Sequence, residues 1–285
     1  MGRVLLLHQS ASTKLGWRLF RNQAFFWLLS LGEGPRRGAC MSFPSQDAMA
    51  NKLLALLPPD DYAAIIRETV HVDLPRGVII AEKGRSITKV YFMTSGIGSI
   101  VVTTAEGHRA EAGLFGFDGY VPTSAIAGVE TSSYDVFIQV AGEAYEIPYD
   151  RFRHWMASSC NFSNIMIRSI EAFSVQLAHT AASNAIHDVP QRLARWLLMC
   201  DDRISGSEIA LTHEFMSIML AVRRPSVTTS LHILEGLGLI KSVRGAVLIR
   251  SRRALEQYAR DAYGWPEKEY SRLMGRFDHA RSDPA

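Results

Sequence analysis

Apolar and polar positions change their rhythm once along this chain, from a period near two to a period near one helical turn, so strands are predicted first and helices afterwards. Val70-His71-Val72-Asp73-Leu74 alternates, and the apolar runs Val78-Ile79-Ile80, Val90-Tyr91-Phe92 and Ser99-Ile100-Val101-Val102-Thr103-Thr104 follow, with further strands predicted over 133–139 and 143–147. Pro75-Arg76-Gly77, Lys83-Gly84-Arg85, Ser95-Gly96, Glu106-Gly107 and Asp118-Gly119 punctuate them. Turns at intervals of about 8 to 12 residues predict an antiparallel sandwich or barrel. Ahead of it, 46–68 reads as helical on Leu53, Leu56 and Leu57, then Tyr62, Ile65 and Ile66 after the Pro58-Pro59 break.

After Tyr149 the pattern turns helical. Residues 163–186 hold no Pro or Gly, and Met166, Ile170, Phe173, Leu177 and Ala181 form one stripe. Such a stripe either covers the neighbouring sheet or pairs with a second copy, and the dimer seam is the expectation carried forward. A second helix over 189–201 offers Leu193, Trp196, Leu197 and Cys200.

Residues 211–240 predict two short helices joined by the turn Ala221-Val222-Arg223. Thr212 suits the first cap, with Phe215, Met216, Met219 and Leu220 on the buried face. Pro225 suits the first turn of the second helix, which Val227, Leu231 and Leu234 bury. That leaves Arg223, Arg224, Ser226, Thr228, Thr229 and His232 for phosphates and base edges in a major groove, the layout of a helix-turn-helix. Residues 240–249 then read as a hairpin around Arg244-Gly245, a wing that presents Lys241 and Arg244. A helix over 254–262 is expected to pack on that wing, and 276–285 is expected to be loose.

Composition narrows the function. The 285 residues are 47% hydrophobic and 21% charged with a net charge of +3, which fits a folded, mildly basic protein. The basic character is local: Lys241, Arg244, Arg250, Arg252 and Arg253 follow one another with no acid between them. Cys40, Cys160 and Cys200 lack metal-ligand spacing, so neither a zinc site nor a disulfide framework is expected and a reducing cytoplasm is. The apolar run 24–31 is too short for a membrane span of about 20 residues. No signal-peptide pattern is evident, and the first forty or so residues read as an extension with translation starting at Met41 or Met49. Enzymatic signatures are missing: there is no G-x-S-x-G, phosphate loop or HExxH, and Asp60-Asp61 and Asp201-Asp202 read as helix-end or loop charges.

The order β domain, long helix, winged helix resembles the Crp/Fnr family of bacterial transcriptional regulators across residues 51–249. The similarity rests on Gly96-Ile97-Gly98-Ser99-Ile100, Tyr145-Glu146-Ile147-Pro148, Asp188-Val189-Pro190-Gln191-Arg192-Leu193-Ala194, Leu234-Glu235 and Leu239-Ile240. It implies an α+β chain: an extension over 1–45, a cyclic-nucleotide-binding-like β-roll (double-stranded β-helix) over 46–150, a long dimerisation helix over 151–186, a winged helix-turn-helix over 187–262 and a tail over 263–285. The implied partners are operator DNA, a second copy, RNA polymerase and an unknown small-molecule effector, with no membrane and no cofactor.

The departures matter equally. Where cyclic-AMP-binding members carry a glutamate for the ribose and an arginine for the phosphate, this chain has Tyr120 and Ser132, and Leu177 and Ala178 replace the hydroxyls that meet adenine. A buried phosphate without its cation is costly, so no cyclic AMP binding is expected. Cys40 alone cannot supply the iron–sulfur cluster of the oxygen-sensing branch, and His71, His108 and His154 read as surface or structural rather than haem ligands. The family's Arg-Glu-x-x-x-Arg reading set becomes Arg224, Pro225 and Thr229, which predicts a different half-site, and Ala221 replaces the usual turn glycine. The competing reading is a ligand- or partner-binding sensor whose winged domain no longer reads DNA.

Overall fold

The computed structural model describes residues 43–275 apart from Ser205 and Ser207, so Met41, Cys40 and the 276–285 tail lie outside the described residues, whereas Met49, the other start site expected, is buried in a core cluster. Two short helices lead in, α1 (Lys52–Ala55) and α2 (Pro59–Ile65). Asn51 explains why α1 begins where it does. Its side-chain oxygen accepts from the Leu53 and Leu54 amides at 3.1 and 3.2 Å, while its Nδ2 donates to the carbonyls of Met93 and Gly119 at 2.8 and 3.0 Å, tying the cap to the sheets. Asp60 and Asp61 lie in the first turn of α2, the helix-end position expected of them.

Eight strands follow: β1 (Val70–Leu74), β2 (Ile79–Ala81), β3 (Lys89–Met93), β4 (Ile97–Thr103), β5 (Arg109–Phe115), β6 (Tyr120–Val121), β7 (Asp135–Val140) and β8 (Gly142–Pro148). They form two antiparallel four-stranded sheets, ordered β1-β8-β3-β6 and β2-β7-β4-β5, around Leu74, Met93, Ile100, Phe115, Val121, Val136, Ile138 and Ala144. Gly98 is required in β4, because a side chain there would begin 2.2 Å from the Phe115 ring. Strand β5 is absent from the sequence prediction. Its Ala110, Glu111, Ala112 and Gly113 have little strand propensity, and pairing with β4 decides their conformation.

The helical half comprises α3 (Tyr149–Ser158), α4 (Cys160–Ile186), α5 (Val189–Asp201), α6 (His213–Met219), α7 (Arg224–Gly236), α8 (Arg252–Ala259) and α9 (Trp265–Met274), with β9 (Glu208–Ile209), β10 (Ile240–Val243) and β11 (Ala246–Ile249) forming one small sheet. None of the described helices is long and apolar enough to cross a membrane.

The stripe expected to pair with a second copy largely faces the chain's own fold. Met166 is completely buried within the chain, in the cluster that holds Phe152 and Phe162, and Ile170 packs against the same cluster. Phe173 packs on the core between the sheets, and Leu177 with Phe173 crowds Gly113 of β5, which has no side chain to obstruct them. Of the five, Ala181 alone is exposed. The outward line of α4 is instead Asn164, Ile167, Glu171, Ser174, Ala178, Ala181 and Ala185, spaced alternately by three and four. Apolarity by itself pointed to the inner face, because the outer one is polar at Asn164 and Glu171 and small from Ser174 to Ala185, with Ile167 its one large apolar residue.

Two further expectations change. Helix α8 packs chiefly on α5, burying Leu255 and Ala259 in a cluster with Leu193 and Leu197, rather than on the wing. The segment read as a tail contains α9, which packs back along α4 with Tyr270 and Met274 buried, and the Tyr270 hydroxyl donates to the Asp118 carbonyl at 2.9 Å. Glycine at 264 with φ of +107° turns the chain, and Glu267 closes the helix start by accepting from the Gly264 amide at 2.9 Å.

Candidate nucleic-acid interface

The helix-turn-helix forms where the pattern placed it. Thr212 caps α6 by accepting from the Phe215 amide at 3.3 Å, and Met216 and Met219 turn inward. The chain then passes through Ala221 at φ of +50°, and Arg223 stands at the N-cap position of α7 without a side-chain cap, with Pro225 in the first turn. Arg192 of α5 donates to the Leu220 carbonyl, satisfying a helix-end acceptor beside the turn. Val227, Leu231 and Leu234 are buried and fix the rotation of α7.

That rotation exposes Arg223, Arg224, Thr229 and His232, with Ser226 and Thr228 half-buried beside them. The Thr228 hydroxyl donates to the Arg224 carbonyl at 3.2 Å and also faces His213 Nδ1 at 3.2 Å, so its hydrogen bonds are local. Arg224 reaches Glu214, with Nη2 2.9 Å from the carboxylate. Sequence reasoning missed this acid, although Glu214 stands two residues after the predicted cap and helix pairing brings it to the same surface. Lys241 and Arg244 are exposed on the wing, where Gly245 at φ of +79° closes the turn from β10 to β11. Six of the eight expected residues are thus open to a partner.

In the roll, Tyr120 is buried with its hydroxyl unpartnered, and the Ser132 hydroxyl donates to the Tyr134 carbonyl at 2.7 Å. Beside Tyr120 lies a cleft of about 40 Å³, lined by Thr123, Ser169, Phe173, Gln176 and Arg203, against which α9 places Glu267 and Tyr270. The Arg203 guanidinium forms a buried pair with Asp118 at 2.6 Å.

Residues 71–159 match the family model for a cyclic nucleotide-binding domain, and residues 191–258 match that for a Crp-like helix-turn-helix domain, together more than half of the chain. The chain belongs to the Crp/Fnr family. As a Crp/Fnr protein it is a transcriptional regulator with a helix-turn-helix DNA-binding domain. A curated relative is the CRP-like cAMP-activated global transcriptional regulator of Mycobacterium tuberculosis, 24% identical over 211 residues that span 71% of this chain and 93% of that protein. Two solved structures share the fold. FixK2 from Bradyrhizobium japonicum superposes with a TM-score of 0.58 at 12% identity, covering 67% of this chain and 98% of that one. The c-di-GMP responsive global regulator CLP of Xanthomonas campestris gives 0.56 at 16% identity, covering 68% and 100%.

Proposed function

We propose that this Crp/Fnr regulator acts as a homodimer that reads a two-fold-symmetric operator through paired α7 helices, with Arg224 contacting a base. The observation that carries the reading is the exposed polar face of α7, which begins with Arg223 and Arg224 and is continued by Lys241 and Arg244 on the wing. A guanidinium in the first turn of such a helix suits bidentate contact with guanine O6 and N7. Thr228, Thr229 and His232 flank that contact, while Arg223, Lys241 and Arg244 hold phosphates, and Ser226 adds a hydroxyl at the helix start. The outward line of α4 supplies the seam between copies. Its small residues let two backbones approach, and Ile167 and Ala181 lie on it. RNA polymerase is the protein partner such a regulator would engage.

The roll is proposed to have no cyclic-AMP site, since Tyr120 and Ser132 bring no charge to a phosphate; calorimetry showing micromolar affinity for cyclic AMP would overturn this. Selection of the full-length protein against a randomised duplex library is the test of DNA reading. A two-fold-symmetric site is expected. Arg224→Ala should lose about 1–3 kcal/mol on that site and relax the preference at one base pair, whereas Lys241→Ala should weaken all duplexes alike and lower the salt slope by about one. Equal losses for Arg224→Ala on specific and random duplex would refute base reading. No salt-dependent binding at all would favour a sensor whose winged domain meets another partner.

A further inference from the structure

The roll and the winged domain share one apolar seam, in which Ile97, Val101, Leu114 and Phe137 of the roll pack in the same cluster as Leu193, Trp196 and Leu197 of α5, and Phe137 meets Phe215 of α6 edge-on at 5.2 Å. Into this seam β5 inserts a carboxylate. Glu111 is 6% exposed, and its oxygens accept from the Ser99 hydroxyl of β4 at 2.5 Å, from Gln139 Nε2 of β7 at 2.7 Å and from the Trp196 indole N–H of α5 at 2.8 Å. The last bond crosses from one domain to the other. Among the described residues no cation pairs directly with Glu111; Arg195, on α5, acts on it only through space.

A buried carboxylate with neutral partners is an expensive way to join two domains, since glutamine would keep the shape without the charge. We propose that Glu111 is a proton-operated latch: protonated, it holds α5 and the winged domain against the roll, and ionised, it loosens them. Burial pushes its carboxyl up to about 7, against the opposing pull of the Ser99, Trp196 and Gln139 hydrogen bonds and of Arg195. A carboxyl that returns to its ordinary range when the seam opens takes up a proton on closing. The closed seam is therefore fully favoured at acid pH and loses that favour as pH rises through about 7. The other titratable groups nearby do not mimic this. The Cys200 thiol of α5 is driven up by its own burial, and His179 of α4, held below its ordinary range by burial and by Arg195, faces that arginine rather than the carboxylate.

The inference stands whether or not the winged domain reads DNA, because its test needs none. The indole N–H resonance of Trp196 in the full-length protein, assigned by its loss in Trp196→Phe, is followed from mildly acid to mildly alkaline pH. It should titrate with one midpoint near 7, and amides of α5, after correction for intrinsic exchange, should lose about tenfold protection between roughly pH 6 and pH 8. Glu111→Gln should abolish both changes and keep the acid-form protection throughout. Ser99→Ala, which removes a bond favouring the charged form, should move the midpoint upward. A Trp196 resonance that does not titrate, or a titration that survives Glu111→Gln, would overturn the proposal.

Discussion

Ala221 carries the clearest strain in the helix-turn-helix. Its φ of +50° lies in the left-handed region, where a β-carbon crowds the following carbonyl by about 1–2 kcal/mol. Glycine removes that cost, partly offset by its greater freedom in the unfolded chain. Ala221→Gly should therefore stabilise the protein by about 1 kcal/mol, seen as a higher denaturation midpoint with an unchanged slope. This position was legible as soon as the turn was placed, because the chain must reverse between two short helices there whatever residue it carries. The partner of Arg224 was not legible in the same way. Glu214 meets it through the angle between α6 and α7, which neither helix encodes alone.

At the scale of elements, α4 presents one buried face and one exposed face. Its inner face, with Phe162, Met166, Ala172 and Gln176 buried, accepts the roll, and the Gln176 side chain takes a hydrogen bond from the Leu114 amide at 3.0 Å. Met166→Ala should cost about 2–5 kcal/mol of protomer stability, read by chemical denaturation, because it opens a cavity among aromatic rings. Ala181→Glu on the outer face should leave protomer secondary structure intact and shift sedimentation toward monomer. If Ala181→Glu left the association state unchanged, the proposed seam on this face would be refuted. The length of α4 was readable from its freedom from Pro and Gly. Its rotation was not, since polar Ser169, Gln176 and Ser183 face inward where the helix runs close to the roll.

At the scale of the molecule, the roll and the winged domain are joined by more than the short link between α4 and α5. Arg203, just beyond α5, pairs with Asp118 of the loop before β6 at 2.6 Å, and Tyr270 of α9 bonds the carbonyl of the same Asp118. Arg252 binds Asp201 and Asp202 at 2.7 and 2.6 Å, so that acid pair is a buried anchor as well as a helix end. Removing one member of a buried pair leaves an uncompensated charge. Arg203→Met should cost about 3–5 kcal/mol by denaturation, and combining it with Asp118→Leu should recover part of the loss. The periodicity of the sequence determined the strands with branched or aromatic residues, the lengths of α4 and α5, and the helix-turn-helix with its wing, because each is a local pattern of apolar spacing and turn residues. Tertiary structure alone decided β5, the facing of α4, the return of α9 and the burial of Glu111. Each of these depends on which surface arrives from a distant part of the chain, and a weak local preference yields to the free energy of burying that surface.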